Sequence, residues 1–312
     1  MSATFTIGID LGGTNLKVAL FDHHYACRAK KILNTREFKG RELLLRAIIK
    51  AVQGLCQSRK VKRSSLLGVG IGVPGPVDYA KGQVHFLPNV PGWKNVPLKK
   101  ILEKALRVPV FVDNDAKVMG LAECQCGAAR TYASALCITL GTGVGGAILL
   151  EGNIYRGASN ASGEIGHLPV NVAGPACNCG GSACLESYIG NDRILAYAKI
   201  LFKRPITLEE LSTLAKKKDV RALRIWSMVG EYLGIALAGA VNLLNLECIV
   251  IGGGVANAGK FLFEVVAKTV KRRAMAVQAK DVRIFKAKLG SDAGLIGAAI
   301  MVEKNCRKGA HR

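Results

Sequence analysis

Two similar glycine turns, about 130 residues apart, place the strongest limit on what this chain can fold into. The first turn carries Gly12 and Gly13 and lies between apolar runs at 5–9 and 16–21. The second, at 141–146, also lies between two apolar runs. Each pattern predicts a β-hairpin. Because a supersecondary unit is repeated, we expect two halves of similar structure.

The rest of the chain alternates between strand-like and helical spacing of apolar residues. Helices are predicted over 41–58, 97–106, 117–128, 187–203, 220–245, 259–273 and 293–302, and further strands over 67–73, 108–112, 248–251 and 282–285. The length of 312 residues favours two domains, which we expect at 1–116 plus 295–312 and at 117–294.

Composition argues against several classes of protein. We find no apolar run of the ~18–20 residues that a membrane span needs, and the N-terminal residues lack the basic start of a secretory signal. The ten cysteines are spread over the whole length, which favours a reducing compartment, so we expect a cytoplasmic protein. The net charge of +22 attracts polyanions, but the cations form several short groups. Without a helix-turn-helix or RNP-like motif, we expect no specific nucleic-acid partner.

The two turns and one later junction have the chemistry of phosphate sites. Glycine N–H groups can approach an anion closely, and Gly252–Gly254 lies between a predicted strand and a predicted helix, whose dipole favours an anion. The spacing of Gly141, Gly143 and Gly146 also fits the dinucleotide fingerprint G-x-G-x-x-G, but a β-run follows where that fingerprint needs a helix. A P-loop is excluded because its motif does not occur. Asp10 is a candidate Mg²⁺ residue acting through water, and a simple Asx-turn explains it equally well.

The stretch 162–186 is rich in residues that bind metals. Its candidates are His167, Cys177, Cys179 and Cys184. A Cys₃His set is one of the closed structural types of zinc site. We therefore predict a zinc-stapled substrate loop, which leaves the carboxylates of Glu164 and Glu186 for another use. The alternative is three ordinary buried thiols in a glycine-rich loop.

Asp113, Asn114 and Asp115 lie where a predicted strand meets a predicted helix. One aspartate can cap the helix N-terminus, and the other can act as a general base. Phosphoryl transfer to a hydroxyl needs a carboxylate that accepts the substrate proton. The cap is the simpler explanation locally, whereas the phosphate-like turns elsewhere in the chain favour the base.

Six ordered motifs, spread over essentially the whole chain, resemble those of the ROK family of sugar kinases and sugar-responsive repressors, within the actin-like ATPase-domain superfamily. They are Ile-Asp-Leu-Gly-Gly-Thr-Asn at 9–15, Asp-Asn-Asp at 113–115, Leu-Gly-Thr-Gly-Val-Gly-Gly at 140–146, Gly-Glu-Ile-Gly-His at 163–167, Cys-x-Cys-Gly-x-x-x-Cys-Leu-Glu at 177–186 and Gly-Gly-Gly-Val at 252–255. The resemblance implies two actin-like, ribonuclease H-like α/β domains with the active site in the cleft between them.

The resemblance also implies a role for each matched residue. The implied nucleotide contacts are Asp10, Gly12, Gly13, Thr14, Asn15, Gly141, Thr142, Gly143, Gly253 and Gly254. The implied sugar contacts are Asn89, Asn114, Asp115, Glu164, His167 and Glu186, with Asp115 as the catalytic base. The implied zinc ligands are His167, Cys177, Cys179 and Cys184. His167 belongs to two sets because its ring has two nitrogens. The implied ligands are therefore ATP, Mg²⁺, a structural Zn²⁺ and a sugar.

The implied activity is ATP-dependent phosphorylation of a hexose at the 6-hydroxyl, with glucose as the expected sugar. N-acetylglucosamine and N-acetylmannosamine are alternatives with the same chemistry, and a non-catalytic, nucleic-acid-binding sugar sensor is the alternative from another class. Repressors of the family carry an N-terminal winged helix-turn-helix, whereas the first phosphate motif here begins at Ile7, which favours a kinase. A homodimer is expected from the family alone.

Overall fold

The computed structural model describes residues 4–87 and 90–309. The strands are β1 (Phe5–Leu11), β2 (Asn15–Asp22), β3 (Cys27–Asn34), β4 (Leu66–Val73), β5 (Val77–Asp78), β6 (Gln83–Phe86), β7 (Lys94–Val96), β8 (Val110–Asn114), β9 (Ser134–Leu140), β10 (Val144–Leu150), β11 (Asn153–Ile154), β12 (Cys248–Gly253) and β13 (Arg283–Lys286). The helices are α1 (Arg41–Ser58), α2 (Leu98–Leu106), α3 (Asp115–Cys126), α4 (Glu186–Ile189), α5 (Asn191–Phe202), α6 (Leu208–Lys216), α7 (Val220–Leu244), α8 (Lys260–Arg273), α9 (Ala276–Asp281) and α10 (Ala293–Gly309).

Internal contacts divide the chain into two compact units. The first consists of Met1–Cys126, Arg156–Ser162 and Ser291–Arg312, and the second of Gly127–Tyr155 and Gly163–Gly290. The first unit therefore contains a short segment that comes from the middle of the second. The predicted domain limits, 1–116 plus 295–312 and 117–294, stay a prediction.

Each unit contains a five-stranded sheet, and the two sheets share one strand order. The order is β3-β2-β1-β4-β8 in the first unit and β11-β10-β9-β12-β13 in the second. In the first sheet, β1 pairs antiparallel with β2 and parallel with β4. In the second, β9 pairs antiparallel with β10 and parallel with β12. The two predicted hairpins are therefore confirmed, and they occupy equivalent places in two similar sheets.

The two faces of β1 are packed in different ways. Side chains of a strand alternate between the faces of a sheet, and Ile9 lies in the core that α1 covers. On the opposite face, a Cβ at Gly8 would lie 2.1 Å from the carbonyl oxygen of Leu295, and a Cβ at Gly70 would lie 1.9 Å from that of Ala298. The backbone of α10 thus touches the sheet directly, which ties the C-terminal helix to the first unit.

Helix α7 is the core helix of the second unit. Trp226, Leu233, Leu237 and Val241 are at most 1% exposed and belong to the core that also contains β9 and β12. Among the described residues, α7 is the helix that is long and apolar enough to cross a membrane by length and composition, and half of its most apolar window is buried inside the protein. Packing in the core explains its apolar composition.

The helix predicted over 187–203 is two helices. Helix α4 ends at Ile189 and α5 begins at Asn191, because the backbone of Gly190 is extended, with φ −60° and ψ 150°. A Cβ at Gly190 would lie 3.0 Å from the carbonyl oxygen of Thr142. The break therefore lets the chain approach the turn between β9 and β10 closely.

Candidate functional site

Four predicted zinc ligands come together in the second unit. The ligand atoms of His167, Cys177, Cys179 and Cys184 all lie within 4.8 Å of one another. The Sγ atoms of Cys179 and Cys184 are 3.7 Å apart, and Sγ of Cys177 is 3.6 Å from Nδ1 of His167. Zn–S bonds of about 2.3 Å in a tetrahedron place sulfur atoms about 3.7 Å apart, so this donor set fits Zn²⁺.

The thiols of this cluster differ in their affinity for protons. Burial works to raise the pKa of Cys177, but hydrogen bonds from the backbone of Cys179, from Ser187 and from His167 lower it to about 6. Burial, together with hydrogen bonds and charge from the neighbouring thiols, raises the pKa of Cys184 to about 12. A thiolate at Cys177 is thus favoured near neutral pH, whereas loss of the Cys184 proton needs a cation beside it. This charge requirement also fits a divalent metal.

The two carboxylates predicted to contact a sugar lie beside this cluster in the sequence. Glu164 is exposed and precedes a 3₁₀ turn at Ile165–His167. A Cβ at Gly146 would lie 2.4 Å from the carbonyl oxygen of Gly163, so the chain before Glu164 runs directly against β10. Because Nδ1 of His167 faces the Cys177 sulfur, Nε2 is the ring nitrogen left for another partner.

Glu186 has a role that the sequence did not suggest. Its Oε2 accepts a hydrogen bond from the N–H of Val144 at 2.8 Å, and a Cβ at Gly143 would lie 2.5 Å from that same oxygen. The N–H of Asn191 also donates to the carbonyl oxygen of Gly141 at 3.0 Å. The predicted phosphate turn at 141–146 is therefore braced by residues that follow the cysteine loop.

The glycines at the end of β12 form the third predicted phosphate site. Gly253 has a φ of +88°, and a Cβ there would lie 2.1 Å from the carbonyl oxygen of Leu140. Gly254 is exposed, and no described atom lies within 4 Å of the place where its Cβ would be. A short 3₁₀ turn at Val255–Ala258 separates these glycines from α8. Gly254 therefore offers an open backbone surface to a ligand.

In the first unit, Asp10 lies at the end of β1 beside a lysine. Nζ of Lys17 is 3.3 Å from Oδ2 of Asp10 and donates to the carbonyl oxygen of Ser291 at 2.8 Å. Burial raises the pKa of the Asp10 carboxyl, and the Lys17 ammonium works against this shift. A Cβ at Gly294 would lie 2.8 Å from Cγ of Asp10, so α10 packs tightly on this carboxyl.

The turn that follows Asp10 is tied to neighbouring backbone. The N–H of Gly12 donates to the carbonyl oxygen of Asn15 at 2.8 Å, and the N–H of Thr35 donates to that of Thr14 at 2.8 Å. Gly13, Thr14 and Asn15 are exposed. The turn is thus fixed in shape while its tip faces outward, as a phosphate site requires.

The three residues at the β8–α3 junction have three different roles. Oδ1 of Asn114 accepts hydrogen bonds from the N–H groups of Ala116 at 3.0 Å and Lys117 at 3.3 Å, so Asn114 caps α3. The prediction that an aspartate is the cap was wrong, because Oδ1 of Asp113 accepts from the N–H of Asn114 and Oδ1 of Asp115 from that of Ala116, in each case the next residue in the chain. Asp115 is the first residue of α3 and is partly exposed.

Asp113 pairs with an arginine that we did not predict. Oδ2 of Asp113 is 2.7 Å from Nη2 of Arg156, whose guanidinium carbon lies 3.4 Å from the centre of the Tyr79 ring. Sequence reasoning missed Arg156 because it lies 43 residues from Asp113 and outside every recognised motif. Of the predicted site residues, Asn89 lies outside the described residues.

The sequence is similar to those of known proteins over nearly its whole length. A model of the ROK family matches residues 6–305. The chain is 35% identical to a glucokinase of Halalkalibacterium halodurans, in a match that covers 97% of this chain and 96% of that protein. It is also 28% identical to a xylose repressor of Caldicellulosiruptor bescii, in a match that covers 95% of this chain and 77% of the repressor.

The solved structures that are similar to this one include two sugar kinases. For the ROK hexokinase of Thermus thermophilus, the TM-score is 0.86 and the identity 34%, with 98% of this chain and 100% of that chain covered. For a ROK family glucokinase from Streptomyces griseus in complex with glucose and AMPPNP, the TM-score is 0.81 and the identity 29%, with 96% and 99% covered. These matches confirm the predicted actin-like, ribonuclease H-like α/β fold.

Proposed function

The chain belongs to the ROK family, and from that premise we propose that it transfers the γ-phosphoryl group of ATP to the 6-hydroxyl of glucose, giving glucose 6-phosphate and ADP. That it is an ATP-dependent sugar kinase rests on the family, the glucokinase relative and the two sugar kinase structures. One observation carries the choice of catalytic residue. Asp113 pairs with Arg156 and Asn114 caps α3, so Asp115 is the carboxylate that we assign to the chemistry.

In the proposed reaction, Asp115 accepts the proton of the sugar 6-hydroxyl while the hydroxyl oxygen attacks the γ-phosphorus in line. A bond forms between that oxygen and phosphorus as the bond to the bridging oxygen of the β-phosphate breaks. ADP leaves with the electron pair of the broken bond. Because the protein does little covalent work, most of the rate enhancement has to come from positioning and from stabilisation of charge.

Asp10 is the residue that we assign to Mg²⁺. When bound, Mg²⁺ neutralises charge on the phosphate oxygens. The partly buried Asp10 carboxylate suits a cation, since charges attract more strongly away from water, and the cation would compete with the Lys17 ammonium. The proposed nucleotide contacts are Asp10, Gly12, Gly13, Thr14, Asn15, Gly141, Thr142, Gly143, Gly253 and Gly254. The AMPPNP complex of the Streptomyces griseus glucokinase supports ATP as the nucleotide.

We assign the sugar hydroxyls to Asn114, Glu164, His167 and Glu186, and we keep Asn89 as a predicted contact. Nε2 is the nitrogen of His167 assigned to the sugar, because Nδ1 faces the sulfur atoms. The four-residue cluster would hold a structural Zn²⁺, which supplies rigidity and takes no part in the transfer. The zinc would therefore fix the loop that carries the sugar contacts.

Replacing Asp115 tests the proposal most directly. Asp115→Ala should lower kcat at least ~100-fold, the contribution that a general base typically makes, while glucose still binds. A coupled assay measures turnover and calorimetry measures binding. Asp78 is another partly exposed aspartate of the first unit and pairs with Lys81. Asp78→Asn is therefore the matched control and should leave turnover unchanged. Turnover near the unaltered value in Asp115→Ala would refute the assignment.

A panel of sugars separates the candidate substrates. N-acetylglucosamine and N-acetylmannosamine are the alternatives that need no change of mechanism, and glucose is favoured by the 35% identical glucokinase. The similarity to a xylose repressor keeps a non-catalytic sugar sensor as the competing class. Sugar binding with no ATP turnover on any member of the panel, together with salt-sensitive DNA binding, would favour the sensor.

We also propose that the protein is cytoplasmic and forms a homodimer. None of the ten cysteines, all of which the structure describes, forms a disulfide, as a reducing compartment favours. The dimer is expected from the family alone, and light scattering coupled to gel filtration measures it.

A further inference from the structure

The segment Arg156–Ser162 belongs to the first unit, although the chain on either side of it belongs to the second. It follows β11 and ends two residues before Glu164, a proposed sugar contact. Within the segment, the N–H of Ser162 donates to the carbonyl oxygen of Arg156 at 3.1 Å. Contacts that hold this segment in place therefore also restrict the position of Glu164, which lies only two residues further along the chain.

The first anchor of the segment is the ion pair between Arg156 and Asp113. Nη2 of Arg156 lies 2.7 Å from Oδ2 of Asp113, whose side chain is 1% exposed. The guanidinium stacks on the Tyr79 ring at 3.4 Å, and the Tyr79 hydroxyl donates to Oδ1 of Asn305 at 2.9 Å. The anchor thus joins the segment to the end of β8 and to α10.

The second anchor is a buried lysine. Lys117 is 3% exposed, and its Nζ donates to the carbonyl oxygen of Asn160. Asp113 precedes Asp115 by two residues and Lys117 follows it by two, so both anchors start at the junction that carries the proposed base. The segment is therefore attached on both sides of the same catalytic position.

The Asp113–Arg156 ion pair is a poor means of stabilising the folded state. Nη1 of Arg156 is buried and has no hydrogen-bond partner among the described residues, and a buried donor without a partner destabilises a fold. Buried ion pairs are often no more stabilising than apolar residues of similar size, but they do fix one geometry. A pair that fixes geometry beside a proposed catalytic base suggests a role in positioning.

We infer that Asp113 and Arg156 are positioning residues: their ion pair holds Arg156–Ser162 at the Asp115 junction and so restricts the position of Glu164. The kinetic consequence rests on the proposed function, whereas the anchoring of the segment does not. Neither residue is assigned a contact with the substrates. Their loss should therefore weaken productive sugar binding without removing the chemistry of Asp115.

The test uses Arg156→Lys, which keeps the charge but cannot reproduce the planar stacking and hydrogen bonding of guanidinium. We expect KM for glucose to rise about tenfold, with kcat and KM for ATP changed less than about threefold, because the sugar contact alone is displaced. Amide hydrogen exchange should become faster in 156–162. Arg28→Lys, in an Arg–Asp pair elsewhere in the first unit, is the matched control. It should change neither KM for glucose nor amide exchange in 156–162.

A second variant tests whether Asp113 and Arg156 act through one shared interaction. Asp113→Asn removes the charge partner, and the double variant Asp113→Asn/Arg156→Lys should raise KM for glucose no further than the worse single variant, because both changes break one interaction. Additive effects would overturn the inference, as would unchanged exchange in 156–162 or an equal loss of affinity for both substrates. If the unaltered protein phosphorylates no sugar, the proposed function fails, and the exchange measurement still tests the anchor.

Discussion

The two glycine turns have the same backbone setting but obtain their charged groups from different places. Each turn joins the first two strands of a sheet with the same strand order. In the first hairpin Asp10 lies opposite Lys17, whereas in the second Thr139 lies opposite Gly145. The first turn thus has a carboxylate and a cation of its own, whereas Thr139 and Gly145 supply neither to the second turn.

The second turn receives its carboxylate from another part of the unit. Oε2 of Glu186 accepts a hydrogen bond from the N–H of Val144, and a Cβ at Gly143 would lie 2.5 Å from that oxygen, so a side chain there would displace the carboxylate. Glu186 follows Cys184 by two residues. One hairpin thus carries its own charged pair, while its counterpart takes a carboxylate from a neighbouring loop. We expect the second turn to connect nucleotide and sugar binding, and the first to act on the phosphates alone.

Loss of the proposed zinc site should have the largest effect, and it should reach only the second turn. In Cys177→Ser, or after chelation, we expect KM for glucose to rise roughly 100-fold. Mutation of the outer-shell partners of a metal site already lowers metal affinity or activity about 10–100-fold, and Cys177 is a proposed ligand. Metal binding also contributes free energy to folding. Amide exchange should therefore become faster in 141–146 and 163–190 and stay unchanged in 10–15.

The control for this change is Cys27→Ser, which replaces an exposed thiol on β3. It should leave glucose binding and exchange in both turns unaltered. Chelated protein that binds glucose with full affinity would show that the cluster does not support the sugar contacts. Equal acceleration of exchange in the two turns would show that they do not differ as we infer.

Matched glycine substitutions should have a smaller effect that again differs between the turns. A Cβ at Gly143 would lie 2.5 Å from Glu186 Oε2, whereas one at Gly12 would lie 3.3 Å from the carbonyl oxygen of Asn15. A Cβ at Gly143 would push the flexible Glu186 carboxylate off the Val144 N–H, and a hydrogen bond to a charged group contributes ~1.5–3 kcal/mol, so Gly143→Ala should raise KM for both glucose and ATP about tenfold. Gly12→Ala should change them less than about threefold.

Gly141→Ala serves as a control inside the second turn, because no described atom lies within 4 Å of its Cβ position. It should resemble Gly12→Ala in steady-state kinetics. If all three variants lose ATP affinity equally and keep glucose affinity, the glycines act only through phosphate contact, and Glu186 does not link the two substrates.

The repeated hairpins and the cysteine loop could be predicted because their signals are local. The Gly12 and Gly141 turns are bounded by apolar runs, so the strands and their pairing follow from neighbouring residues. The cluster from Cys177 to Cys184 needs one further residue, His167, which is near in the sequence. Spacing was enough to name the four candidate ligands, which the structure brings together.

The contacts between distant segments could not be predicted. The partner of Asp113 is 43 residues away, and nothing at Arg156 distinguishes it from the many other basic residues of this chain. The contact between Glu186 and Val144 spans 42 residues. The choice of Asn114 as the cap also depends on such a contact, because Asp113 is held by its ion pair and Asn114 accepts the helix N–H groups.

The smallest expected effect concerns the charge that only the first turn contains. Burial raises the pKa of Asp10 above its ordinary 3.8, so the folded protein holds this proton more tightly than the unfolded chain. Its contribution to the free energy of unfolding is complete below pH 3.8 and is lost as the pH rises through the raised value. Without added Mg²⁺, Asp10→Asn should therefore gain about 2 °C in Tm relative to the unaltered protein between pH 4 and pH 7.

Thr139→Val, at the equivalent place in the second hairpin, should show no such dependence on pH, and calorimetry across this range measures both. A pH-independent difference for Asp10→Asn would mean that Lys17 fully compensates the buried carboxylate, and the contrast between the turns would then lie in the contact with Glu186 alone.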